Sequence, residues 1–105
     1  MPTWIPPDGS PPVAYAEAGA GPPLVLVHAF PLSRAMYAPQ LAGLADVARV
    51  IAPDLPGFGG SGPRPGWTVD SAADLLADFL AGVGVAEPVV LGGVSMGGYV
   101  ALAFA

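Results

Sequence analysis

Apolar residues in this chain come in short, uninterrupted runs separated by clusters of glycine and proline. Leu24-Val25-Leu26-Val27-His28, Arg49-Val50-Ile51-Ala52-Pro53 and Pro88-Val89-Val90-Leu91-Gly92 lack the polar alternation of a half-exposed strand. Such runs suit strands covered on both faces, as in a parallel sheet. Trp4-Ile5 and Val13 to Glu17 flank Asp8-Gly9 and predict a weak hairpin. Met36 to Ala45 predicts a short helix with Pro39 in its first turn. Asp54 to Trp67 is rich in glycine and proline and reads as loop. Ala72, Leu75, Leu76, Phe79 and Leu80 recur at helical spacing, with Asp74 and Asp78 toward the polar side. Thr68 or Asp70 can cap this helix, and Gly82 to Gly84 can stop it. Tyr99 to Ala105 is apolar all round and predicts the start of a central, buried helix. Strands alternating with helices give an α/β fold with a mainly parallel sheet and room for one domain at most.

Composition narrows the function. The 105 residues are 53% hydrophobic, which excludes disorder driven by charge, and the 15 glycines and 14 prolines follow no repeat period. Net charge is −5, and the only basic residues are Arg34, Arg49 and Arg64, too few to track a phosphate backbone, so no nucleic-acid partner is expected. There is no cysteine and a single histidine, His28, so cysteine chemistry and a histidine-cluster metal site are excluded and no cofactor is implied. The N-terminal residues lack the basic and apolar regions of a secretory leader, which makes cytoplasm the default location. Pro88 to Ala105 holds 18 residues without a charge and a Gly93/Gly97 pair at GxxxG spacing, the outline of a membrane helix. The leading proline, the glycines in its middle and the lack of a basic flank favour a strand followed by a helix, and no membrane association is expected.

Gly93-Val94-Ser95-Met96-Gly97 is the segment that carries chemistry. A G-x-S-x-G between an apolar strand and a helix is the setting of a nucleophile elbow, where a strained serine projects its hydroxyl from the sheet edge. Glycine at 93 and 97, with Gly98 behind, is expected because a Cβ would meet the neighbouring strand and helix. The helix start also brings free N–H groups and partial positive charge to the serine. A glycine-rich turn with an incidental serine is the alternative.

His28-Ala29-Phe30-Pro31 follows the first buried strand, and Asp54-Leu55-Pro56-Gly57-Phe58-Gly59-Gly60-Ser61 follows the second. In this order, ahead of the serine motif, the segments resemble the N-terminal part of the α/β-hydrolase superfamily. The likeness is nearest to its small bacterial esterase, enol-lactonase and cofactor-free haloperoxidase-like branch, and covers about Val13 to Ala105. The resemblance implies that Ser95 is the nucleophile and that the backbone amides of Phe30 and Met96 form the oxyanion hole. It implies bracing roles for His28 and Asp54, and a cis bond at Phe30-Pro31. Ala29 departs from the H-G-x-P pattern by replacing its glycine. Met36, Tyr37, Trp67 and Tyr99 can line an acyl pocket, although core packing is the more common fate of such residues.

A serine hydroxyl needs a base, and the base an orienting acid. The family order places both after the serine, yet Met96 to Ala105 contains neither an acid nor a histidine. Residues 1–105 are therefore read as an incomplete hydrolase domain, in which Val89-Val90-Leu91 has an uncovered edge. Two functional expectations follow. The parent protein hydrolyses a small carboxylic ester or lactone through an acyl-serine; alternatively, this chain is an inactive truncated fragment.

Overall fold

A computed structural model of the protein describes residues 2–30, 32–64, 66–85 and 88–104. Its five strands are β1 (Thr3–Trp4), β2 (Val13–Ala18), β3 (Pro23–Val27), β4 (Arg49–Pro53) and β5 (Val90–Gly93). They form one sheet in the order β1-β2-β4-β3-β5. β1 and β2 pair antiparallel across the turn that contains Gly9, whose φ is 83°. β2 joins β4 antiparallel, whereas β4, β3 and β5 are mutually parallel. The parallel part comprises the three apolar runs, and Val25, Val27, Val50, Ile51 and Ala52 within it are completely buried.

The helices are α1 (Ala38–Leu44), α2 (Val69–Gly82) and α3 (Met96–Phe104). The segment expected as one helix from Met36 is split: Arg34–Tyr37 is a 3₁₀ turn, and Pro39 stands in the first turn of α1. Thr68, not Asp70, caps α2. Its Oγ1 accepts the Ser71 N–H at 3.1 Å, and the Ser71 hydroxyl oxygen accepts the Thr68 N–H at 2.8 Å. α2 lays Ala72, Ala73, Leu76, Phe79 and Leu80 into a core with Val13, Val25, Val27, Ile51, Leu55 and Val100. Phe79 is its hub, meeting Tyr15 edge-to-face at 5.1 Å and Trp4 at 6.0 Å.

α3 starts three residues earlier than the apolar pattern suggested, because the glycine-rich turn itself is taken into the helix. It is not buried all round within this chain: Gly97 and Val100 are buried, while Tyr99 and Leu102 are 68% and 77% exposed. β5 forms one edge of the sheet, and Val90 there is 67% exposed. Among the described residues no helix is long and apolar enough to cross a membrane.

Chain direction decides where the loops converge. The step from β3 through α1 to β4 moves one way along the sheet, and the step from β4 through α2 to β5 moves back past β3. Right-handed crossovers in opposite directions place α1 and α2 on opposite faces. The adjacent strands β3 and β5 thus send their following segments to opposite sides, opening a crevice at their carboxyl ends.

Candidate active site

Two segments meet at that crevice. The β3–β5 register sets Leu26 beside Gly92 and Val27 beside Gly93, so His28-Ala29-Phe30 and Val94-Ser95-Met96 leave the sheet side by side. The Val94 N–H donates to the Val27 carbonyl at 3.3 Å and holds the two exits together.

Ser95 has φ 54°, and it is the one non-glycine with positive φ among the described residues. A serine in that region stores on the order of 1–3 kcal/mol of strain and persists only where its surroundings impose it. Here the surroundings are steric. A Cβ on Gly93 would lie 2.3 Å from the Gly97 carbonyl oxygen, and one on Gly97 would lie 2.1 Å from the Val27 carbonyl oxygen. Gly98 differs from the expectation: a Cβ there would sit 3.5 Å from the Gly93 carbonyl oxygen, an ordinary contact. The steric requirement applies to Gly93 and Gly97 only, since α3 turns its Gly98 face away from β3.

Ser95 is exposed, and α3 begins immediately after it. Among the described residues, the amides of Phe30 and Met96 have no hydrogen-bond partner. The hydroxyl therefore stands at the electropositive end of a helix, with unpaired N–H groups on both segments. Pro31, and with it the Phe30-Pro31 bond, lies outside the described residues.

His28 is completely buried, and both of its ring nitrogens are occupied. Nε2 accepts the Leu55 N–H at 2.9 Å, which leaves the ring proton on Nδ1, where it is donated to the Ala29 carbonyl at 3.0 Å. Burial holds its pKa below the usual 6.5, partly offset by the bond to Ala29. Phe58 packs edge-to-face on His28 at 5.4 Å and on Phe30 at 5.7 Å. Ala29 is buried without positive φ, so its methyl group fits where the resemblance would place glycine.

Asp54 is buried at the end of β4 and serves the backbone around it. Its Oδ1 accepts the Arg34 N–H at 2.7 Å, and its Oδ2 accepts the Gly60 N–H at 2.9 Å and pairs with the Arg34 guanidinium. The Ser61 hydroxyl donates to the Asp54 carbonyl at 2.7 Å and accepts the Ala14 N–H at 3.0 Å. Asp54 thus ties the 54–61 loop to the segment after β3. Nothing in the residue pattern singles out Arg34, because a pair 20 residues apart leaves no periodic signal.

Of the four candidate pocket residues, only Tyr99 shares a groove with Ser95. That groove, about 850 Å³, runs between β5 and α3 and is lined mainly by Val89, Leu91, Tyr99 and Phe104. Its outer side is the unpaired edge of β5. Tyr37 is buried and donates its hydroxyl to the Val27 carbonyl at 2.8 Å. Trp67 packs against the core, and Met36 turns its sulfur to the Ala29 N–H. Among the described residues there is no group of three or more side chains able to hold a metal ion.

The family model for the alpha/beta hydrolase fold matches residues 22–105. The chain belongs to the α/β-hydrolase family. A thermophilic esterase from Thermogutta terrifontis, solved with malate bound, superposes with a TM-score of 0.89 at 45% identity, over 97% of this chain and 39% of the esterase. An N-acyl homoserine lactonase complexed with N-butanoyl homoserine gives 0.84 at 35% identity, over 90% of this chain and 36% of the lactonase. Haloalkane dehalogenase 2 of Mycobacterium tuberculosis is 34% identical over 76 residues, covering 70% of this chain and 26% of that protein. This α/β-hydrolase chain thus spans well under half the length of these relatives.

Proposed function

We propose that Ser95 is the nucleophile of a hydrolase acting on a small carboxylic ester or lactone, with the Phe30 and Met96 amides as its oxyanion hole. The observation that carries this reading is the positive φ of Ser95 at the apex between β5 and α3. An incidental serine in a turn has no reason to hold a strained conformation beside unpaired amides.

In the reaction, Ser95 Oγ forms a bond to the carbonyl carbon, and the π electrons move to the carbonyl oxygen. The two amides meet that negative charge, an effect worth about 10²–10³ in rate per donor. Collapse expels the alcohol or opens the lactone ring, and water then releases the acid from the acyl-serine. A base must take the serine proton and return it to the departing oxygen. His28 is unsuited, because its Nε2 already accepts the Leu55 N–H and its Nδ1 proton is held by Ala29. We therefore assign the base and its orienting acid to residues of the whole protein other than these 105.

The dehalogenase relative marks the runner-up chemistry. Serine argues against it: displacement of a halide by a serine oxygen would leave an ether, which water does not cleave as it cleaves an ester. A fluorophosphonate probe applied to the whole protein should label Ser95, and labelling that survives Ser95→Ala would refute the assignment.

A further inference from the structure

Two consecutive amides in the loop after β3 behave differently: the Ala29 N–H is bonded, whereas the Phe30 N–H has no partner among the described residues. The Ala29 partner is an unusual one, the Met36 sulfur at 3.3 Å. Ala29 is buried, so without that sulfur its N–H would be orphaned beneath the loop. Met36 is itself held in place. Its N–H donates to the Ser33 carbonyl at 3.1 Å, and the Ser33 hydroxyl oxygen caps the same turn by accepting the Ala35 N–H at 3.3 Å. Its side chain is half-buried and lies outside the hydrophobic core cluster.

The other side of the loop is fixed too. The Ala29 carbonyl accepts the Leu32 N–H at 2.8 Å and the His28 Nδ1–H at 3.0 Å. In a trans peptide, C=O and N–H point in opposite directions. Anchoring the Ala29 carbonyl therefore aims the Phe30 N–H the other way. Met36 fixes the preceding peptide, and the two anchors together set the dihedrals of Ala29.

We propose that Met36 is a positioning residue of the oxyanion loop: its sulfur takes the Ala29 N–H, so that the next amide, that of Phe30, stays directed at the oxygen that gains charge when Ser95 attacks. This rests on the serine-hydrolase reading above. The sulfur acts as an acceptor here, and a leucine of similar volume cannot replace it, whereas a glutamine can.

The test compares wild type, Met36→Leu and Met36→Gln in the whole protein with two readouts. One is hydrogen exchange of the Ala29 amide; the other is the rate constant for fluorophosphonate labelling of Ser95, with KM for a p-nitrophenyl ester measured alongside. Met36→Leu should speed Ala29 exchange and slow labelling about tenfold, a fraction of the effect of losing an oxyanion donor, with KM changed less than about twofold. Met36→Gln should restore both. Wild-type labelling in Met36→Leu would overturn the proposal, as would equal losses in Leu and Gln, which would make the role one of packing. Should Met36→Leu fail to fold, Gln decides alone: a wild-type rate supports the acceptor role and a slowed one refutes it. No labelling in the wild type would instead bring down the hydrolase reading, and this proposal with it.

Discussion

Substituting Gly97 by alanine isolates the contact that builds the Ser95 turn. The added Cβ would sit 2.1 Å from the Val27 carbonyl oxygen and 2.6 Å from that of His28, where ordinary contact starts at 3.4 Å. Both obstacles are backbone atoms, one on a completely buried residue of the central sheet, so neither can swing aside. α3 must retreat from β3 by about 1 Å. Overpacking of this kind costs about 1–3 kcal/mol, and the upper end applies because the backbone must move. Gly97 does not have positive φ, so the cost is steric alone. The same retreat carries Ser95 and the Met96 amide away from the Phe30 loop, and a displacement of about 1 Å can lower rate by 10². Gly98→Ala is the control. Its Cβ meets nothing nearer than 3.5 Å, and alanine within a helix gains up to about 1 kcal/mol over glycine. Urea unfolding followed by circular dichroism, with fluorophosphonate labelling rates, measures both consequences. Gly97→Ala within about 0.5 kcal/mol of wild type, or indistinguishable from Gly98→Ala, would refute the reasoning.

Asp54→Asn should destabilise the protein by about 3 kcal/mol, because it removes the buried carboxylate that faces the Arg34 guanidinium and turns an amide donor toward the Arg34 or Gly60 N–H; denaturant midpoints check this, and an unchanged midpoint would mean the pair contributes nothing. Stability should also fall as pH drops below about 6.5. Burial depresses the His28 pKa in the folded state, so the unfolded chain binds the extra proton first; the contribution is complete above 6.5 and is lost as pH falls toward the folded value. Stability curves at several pH values, compared with His28→Gln, should show a smaller acid slope in the variant.

The sequence by itself determined the elements and their order. Three unbroken apolar runs are the parallel strands, the Leu75-Leu76-Phe79-Leu80 spacing lies in α2, and one of the two cap candidates, Thr68, starts that helix, because burial and capping are local demands that a residue pattern records. The G-x-S-x-G segment likewise drew attention to Ser95, since only glycine at 93 and 97 lets a helix start so close to a strand. Tertiary structure decided the rest. Sheet order put β5 beside β3 and so brought Val94 to Met96 against His28 to Phe30, from stretches more than 60 residues apart. It committed both nitrogens of His28, joined Arg34 to Asp54, and gave the Ala29 amide a sulfur partner. It also left Tyr99 and Leu102 exposed on a helix whose composition suggested burial on every side. Composition records how apolar a segment is, but which of its faces is covered depends on what the chain packs against it, and that is settled only when distant segments meet.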